Sequence, residues 1–206
     1  ARLENCGKPI VMAIHGNALG GGLELAMAGH YRVAVADATL GQPEVNLGII
    51  PGAEGTQRLP RLVGVEKALE MCVTGNPITA SEALEAGLID HVLDGDLSQG
   101  AIDFAARTAA RSGPRKTRDR TDRLASSPAT FKEARERVAT SRPNEIAPLK
   151  VVDAIEAAAT RSFLEGCLVE RALFFETVQT EQARTRIDAF FAARSAAKRS
   201  AMRDPR

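Results

Sequence analysis

The sequence predicts an α/β fold that gives way to a mostly helical C-terminal region. Three observations carry this. Between Ile10 and Ala36 a β-branched apolar run, a glycine-rich turn, a short helical run and an alternating run follow one another, which is the order of an α/β unit. From Leu149 onward the apolar spacing is helical almost throughout. The composition, 44% hydrophobic and 26% charged over 206 residues, is that of a globular chain able to bury a core.

The elements follow in order. Ile10–Gly16, "IVMAIHG", is short and β-branched and reads as a buried strand that Gly16 ends. Leu23–His30, "LELAMAGH", reads as a short helix with Gly29 as its stop. "YRVAVA" alternates as a second strand, and Ala38–Val45 holds a third, with Pro43 restricting it to an edge or a strand end. Gly48–Gly64, "GIIPGAEGTQRLPRLVG", is a loop punctuated by Gly and Pro that runs into a short helix. Thr79 and Glu82 have capping-box spacing ahead of "SEALEAG", which Gly87 stops, and "LIDHVL" is a further short strand. A helix over Ser98–Gly113 leads into "GPRKTRDRTDRLASSP", a charged stretch expected to be a long surface connection. Ser127 and Pro128 then open a helix, with Pro at its first position. One break in the terminal helices is expected near Thr180. The resulting division is residues 1–95, 96–148 and 149–206. Phe163, Phe174, Phe175, Phe190 and Phe191 fall in the last part, at the spacing of core or subunit contacts rather than ligand stackers.

Several function classes lose support at once. The 27 basic and 26 acidic residues leave a net charge of +1, so no global field favours nucleic acid or an anionic membrane. Cys6, Cys72 and Cys167 are odd in number and far apart, which points to reduced thiols rather than a disulfide framework. His15, His30 and His91 lack metal-ligand spacing, and neither a membrane span nor a signal peptide is found. The chain starts at Ala1 and enters a strand almost at once, as a piece of a longer protein would.

Gly20, Gly21 and Gly22 need a reason, since three consecutive glycines cost conformational entropy and pack nothing. A phosphate cradle would end in Gly-Lys-Ser/Thr, whereas Leu23 and Glu24 follow here. The spacing from Gly16 does not fit a dinucleotide fingerprint either. A third reading is an oxyanion site, in which bare backbone N–H groups at a helix start face a carbonyl oxygen that gains charge. Glu24 in the first helical turn and Glu44, 20 residues later, would then flank one bound carbonyl compound as an acid–base pair. The plainer reading, tight helix–strand packing beside two surface carboxylates, stays open on spacing alone.

"GNALGGGLELAMAGHYRVA" together with "GQPEVNLGIIPGAEGTQRL" resembles the signature region of the crotonase superfamily, the enoyl-CoA hydratases and isomerases. The likeness continues through "LVGVEKALEMCVTGNPITASEALEAGLIDHVL". Further on, "PNEIAPLKVVDAIEAA" and "QARTRIDAFFAARSAAKRS" resemble the hydratase/isomerase part of multifunctional fatty-acid β-oxidation enzymes. The resemblance implies a crotonase-like (ClpP/crotonase) ββα superhelix, incomplete at its N-terminus because family members carry further strands and helices upstream of Lys8. It implies an enoyl-CoA hydratase of β-oxidation, with Δ3-Δ2-enoyl-CoA isomerisation on the same site as the alternative. Gly21 N–H is expected to bind the thioester oxygen, with Gly20 beside it. Glu24 is expected as the base, Glu44 as the acid, and Gly52 as a backbone contact to the reacting water. No metal is implied, and CoA enters only as part of the substrate; no dinucleotide fingerprint occurs after Arg194. The helical end fits either a homo-oligomer or docking to a dehydrogenase domain. The compartment implied is the bacterial cytoplasm or, in a eukaryote, the peroxisome. Glu54 departs from the Gly that many hydratases have, and the piece alone is expected to be weakly active or inactive. A non-catalytic CoA- or nucleic-acid-binding module would rest on Arg107, Arg111, Arg115, Lys116, Arg118, Arg120 and Arg123. Asp119 and Asp122 interrupt that run and no aromatic interleaves it, so no nucleic-acid partner is expected.

Overall fold

A computed structural model describes residues 2–109 and 113–203. The first strand, β1 (Val11–Ile14), turns sharply at Gly16, whose φ of 58° suits a residue without Cβ, and continues as β2 (Asn17–Leu19) in a second sheet. Helix α1 (Gly21–Met27) follows. The pattern then repeats: β3 (Tyr31–Val35) pairs parallel to β1, and β4 (Thr39–Gly41) pairs parallel to β2. Each strand–strand–helix unit thus gives one strand to each of two small sheets. Strand β5 (Ile78–Thr79) closes the second sheet antiparallel to β4, and β6 (His91–Leu93) completes the first beside β3. The orders are β1-β3-β6 and β2-β4-β5.

Position in the sheet corrects one expectation. β1 was expected to be buried, but it lies at a sheet edge, with Ile14 buried and Ala13 exposed. β3 has neighbours on both sides, and Val33 and Ala34 are fully buried. Pro43 lies past the end of β4 and opens a 3₁₀ turn, Pro43–Leu47, so β4 can be the central strand of its sheet.

Helix α2 (Gly55–Val63) exceeds what its sequence suggested. All nine residues are buried, and Pro60 sits inside it. Its polar side chains are accommodated individually. Arg58 pairs with buried Glu4 at 2.9 Å and also meets Glu54, while Arg58 and Arg61 each lie 5.1 Å from the Phe163 ring centre. Glu54 starts this helix at φ 71°, in the left-handed region that favours glycine.

Helix α3 (Val65–Thr74) follows, and α4 (Ala80–Glu85) has the expected capping box between Thr79 and Glu82. Helix α5 (Leu97–Ala109) covers β1; of the rest of its expected extent, residues 110–112 lie outside the described residues and Gly113, at φ 62°, is not helical. The charged stretch after it is pinned rather than freely solvated. Arg115 reaches Asp90 and stacks on Tyr31, the Arg118 N–H donates to Glu4, and Arg123 donates to the Ala86 carbonyl.

Helix α6 (Pro128–Ser141) is capped by Ser127 as its sequence suggested. The remainder forms α7 (Ala147–Thr160), α8 (Phe163–Val178) and α9 (Glu181–Arg203). There are two breaks, not one. The additional break, at Arg161–Ser162, carries a capping box between Ser162 and Glu165 whose spacing was present in the sequence. One apolar cluster runs from Ile14 through Val151, Val152 and Ile155 of α7 to Leu173 of α8. Of the five phenylalanines, Phe174 packs against this cluster, whereas Phe175, Phe190 and Phe191 are exposed.

Candidate active site

The glycine turn is where the two sheets meet α1. Gly20 adopts φ 55°, ψ −128°, and its N–H donates to the Gly41 carbonyl at 2.9 Å, tying the start of α1 to β4. That conformation belongs to glycine. A Cβ on Gly20 would also stand 2.8 Å from Glu44 Oε1. Gly21 comes next and is exposed, and its N–H makes no hydrogen bond among the described residues. The side-chain position of Gly21 looks toward Glu24 Oε2 at 4.0 Å. Adjacent Cα atoms are about 3.8 Å apart, so both carboxylates converge on the Gly20–Gly21 tip.

Glu24 is 5% exposed. One oxygen, Oε1, accepts the N–H groups of Ala53 and Gly55 at 2.8 and 2.9 Å. Its other oxygen faces the tip. Burial raises its pKa and the two amide donors pull it back, leaving it above the ordinary value. Glu44 comes from the 3₁₀ turn after β4. The buried Gln42 amide, with its nitrogen toward Glu44, donates to both carboxylate oxygens at 3.0 Å. Burial, and then the charge of Glu24, push the Glu44 carboxyl up to about 8. The two acids thus titrate as a pair, with the proton favouring Glu44.

Gly52 stands just before the Ala53 and Gly55 donors. A Cβ there would overlap the Phe174 ring at 2.4 Å, so the close approach of α8 requires glycine. The structure therefore brings Gly20, Gly21, Glu24 and Glu44 together and places Gly52 on the loop that holds Glu24. It also adds residues that sequence reasoning missed: Gln42, Ala53, Gly55 and, from α8, Glu170. Glu170 is 1% exposed and accepts from Glu54 N–H, Thr56 N–H and the Thr56 hydroxyl. Burial raises its carboxyl to about 7, with the Thr56 hydrogen bond opposing and Glu24 adding to the rise. Its sequence signal was slight: a single acid on a helix ridge between Gly166 and Phe174. Among the described residues no group of His, Cys, Asp and Glu could hold a metal ion, and no helix is long and apolar enough to cross a membrane.

The pattern of the enoyl-CoA hydratase/isomerase family matches residues 1–135, well over half of the chain. The chain belongs to the enoyl-CoA hydratase/isomerase family. Among curated relatives, the peroxisomal bifunctional enzyme of Cavia porcellus is 44% identical over 193 residues, covering 93% of this chain and 27% of that protein. The fatty acid oxidation complex subunit alpha of Shewanella loihica is 38% identical over 210 residues, covering 98% of this chain and 30% of that protein. The chain therefore spans under a third of the length of these two relatives. Among solved structures, carnitinyl-CoA hydratase from Mycobacterium avium superposes with a TM-score of 0.58 at 32% identity, covering 91% of this chain and 61% of that one. The two-sheet strand–strand–helix repeat is thus the fold of this enoyl-CoA hydratase/isomerase chain.

Proposed function

We propose that this chain carries the hydratase centre of an acyl-CoA enzyme, which adds water to a trans-2-enoyl-CoA to give a 3-hydroxyacyl-CoA. One observation carries the reading: the buried carboxylate of Glu24 and the half-buried one of Glu44, from separate elements, meet beside an exposed, unengaged amide at the tip of α1. In this reading the thioester oxygen accepts from Gly21 N–H, and Glu24 and Glu44 hold the water. Glu24, kept more acidic by its two amide donors, takes a proton from water as the water oxygen bonds to Cβ. The π electrons move toward the thioester oxygen, where a donor such as Gly21 N–H stabilises the enolate by about 3 kcal/mol. Glu44, which holds its proton near neutrality, delivers it to Cα. Water is added across the double bond, and the proton returns from Glu24 to Glu44 before the next cycle.

The presence of both acids favours hydration over a proton shift alone, which needs one. The ion pairs and stacking that occupy Arg115 and Arg118, and the hydrogen bond that Arg123 donates to the Ala86 carbonyl, weaken the case for a nucleic-acid-binding module. The test is to give the chain a 2-enoyl-CoA and, separately, a 3-enoyl-CoA in ¹⁸O-labelled water. The expected result is a 3-hydroxyacyl-CoA labelled at its hydroxyl, formed at a low rate by this piece of the protein. A 3-enoyl substrate converted to the 2-enoyl isomer, with no hydroxylated product from either, would replace hydratase with isomerase.

A further inference from the structure

Helix α8 returns to the site from more than 100 residues away along the chain. Gly166, Glu170 and Phe174, four residues apart, lie on one ridge of that helix. All three meet the segment from Gly52 to Gln57. The Phe174 ring fills the space beside Gly52, and Gly166 leaves room for the Gln57 side chain, whose Oε1 would be 2.1 Å from a Cβ there. Between them, Glu170 accepts Glu54 N–H at 2.7 Å and Thr56 N–H at 2.9 Å. Glu24 takes the alternate amides, Ala53 and Gly55. Successive N–H groups are thus shared between two buried carboxylates, each taking every second one.

We propose that Glu170 is a positioning residue for Glu24: by holding the Glu54 and Thr56 amides it fixes the loop whose Ala53 and Gly55 amides aim the Glu24 carboxylate. Packing alone does not explain an acid at this place. An apolar side chain would fill the volume without the cost of burying a carboxylate. Glu170 forms no ion pair among the described residues, and what it has instead is the loop's own N–H groups and the Thr56 hydroxyl. The acids Glu24 and Glu44 and the thiols of Cys72 and Cys167 are the titratable groups whose fields it shares. The link to turnover rests on the hydratase reading above; the clamp on the loop does not.

The experiment compares the full chain with Glu170→Gln, which keeps the volume but loses one acceptor oxygen, and Glu170→Leu, which keeps packing and loses both. Amide hydrogen exchange is followed at Ala53 and Gly55, with Val33 and Ala34 of β3 as internal controls. ¹³C titration of the Glu24 carboxyl and the kcat and KM for a 2-enoyl-CoA are measured in parallel. Both variants are expected to exchange Ala53 and Gly55 about tenfold faster or more, while the β3 amides keep their rates. The Glu24 titration should move to higher pH as its donors loosen, and kcat should fall by about 100-fold with KM little changed. Unchanged exchange at Ala53 and Gly55 in Glu170→Gln, or full protection in Glu170→Leu, would overturn the clamp. Faster loop exchange in the variants of a chain that never hydrates enoyl-CoA would keep the clamp and remove the hydratase reading.

Discussion

Glu44→Gln is expected to make the protein more stable and less active at the same time. The carboxyl sits at about 8 in the folded state against an ordinary 4.5. In the unfolded chain it is ionised near neutrality, so folding takes up a proton. Because the folded value is the higher one, the penalty is absent below the unfolded value, grows as pH rises and levels off above the folded value. At about 1.4 kcal/mol per unit, burial of this acid costs about 3 kcal/mol near pH 7 and about 1 kcal/mol near pH 5. The amide introduced by the substitution has no charge to lose and still offers one oxygen to Gln42. Urea unfolding of both proteins near pH 5 and pH 7 should show a gain of about 2–3 kcal/mol at neutrality, shrinking to about 1 kcal/mol or less in acid. Turnover of a short 2-enoyl-CoA should drop by orders of magnitude while thioester binding changes little. A variant no more stable than the parent near pH 7, or equally stabilised at both pH values, would refute the buried-acid argument. Near-normal hydration would refute the role of Glu44 as proton donor.

Gly55→Ala would place a Cβ 2.5 Å from Glu24 Oε1 and 2.9 Å from Pro51 Cβ, forcing the carboxylate off its amide donors. A loss of about 1–3 kcal/mol in urea unfolding and a drop in kcat are expected, and an unaltered unfolding midpoint would show that the loop has room to spare. At Glu54, whose φ is 71°, Gly should exceed Ala in stability by about 1 kcal/mol, the reverse of helix propensity, since both remove the Arg58 pairing and only Gly relieves the backbone. Equal unfolding midpoints for Glu54→Ala and Glu54→Gly would contradict the left-handed geometry.

The parts of the site written close together could be read without coordinates. Gly20, Gly21 and Glu24 fall within one helical turn, and Glu44 follows after the two short strands β3 and β4, so local chain geometry decides most of their placement. Glu170 was beyond reach because nothing local says which face of α8 is buried, and its partners are more than 100 residues distant. The same limit applies to α2, where nothing local says that Arg58 and Arg61 are buried; the groups that cover them, Glu4 and Phe163, come from distant parts of the chain. β1 failed in the opposite direction: its residues suit a buried strand, but burial depends on having a neighbour on each side. The basic stretch after α5 looked like a loose connection because the groups that anchor it, Glu4, Tyr31, Ala86 and Asp90, lie far upstream.

Phe174 against Gly52 also bears on where this polypeptide could be divided. The family pattern matches residues 1–135, yet the ring that packs against Gly52 and the apolar staves of α7 come afterward. A gene trimmed to that stretch would keep Gly21, Glu24 and Glu44 and still yield a protein with a hole where its wall should be.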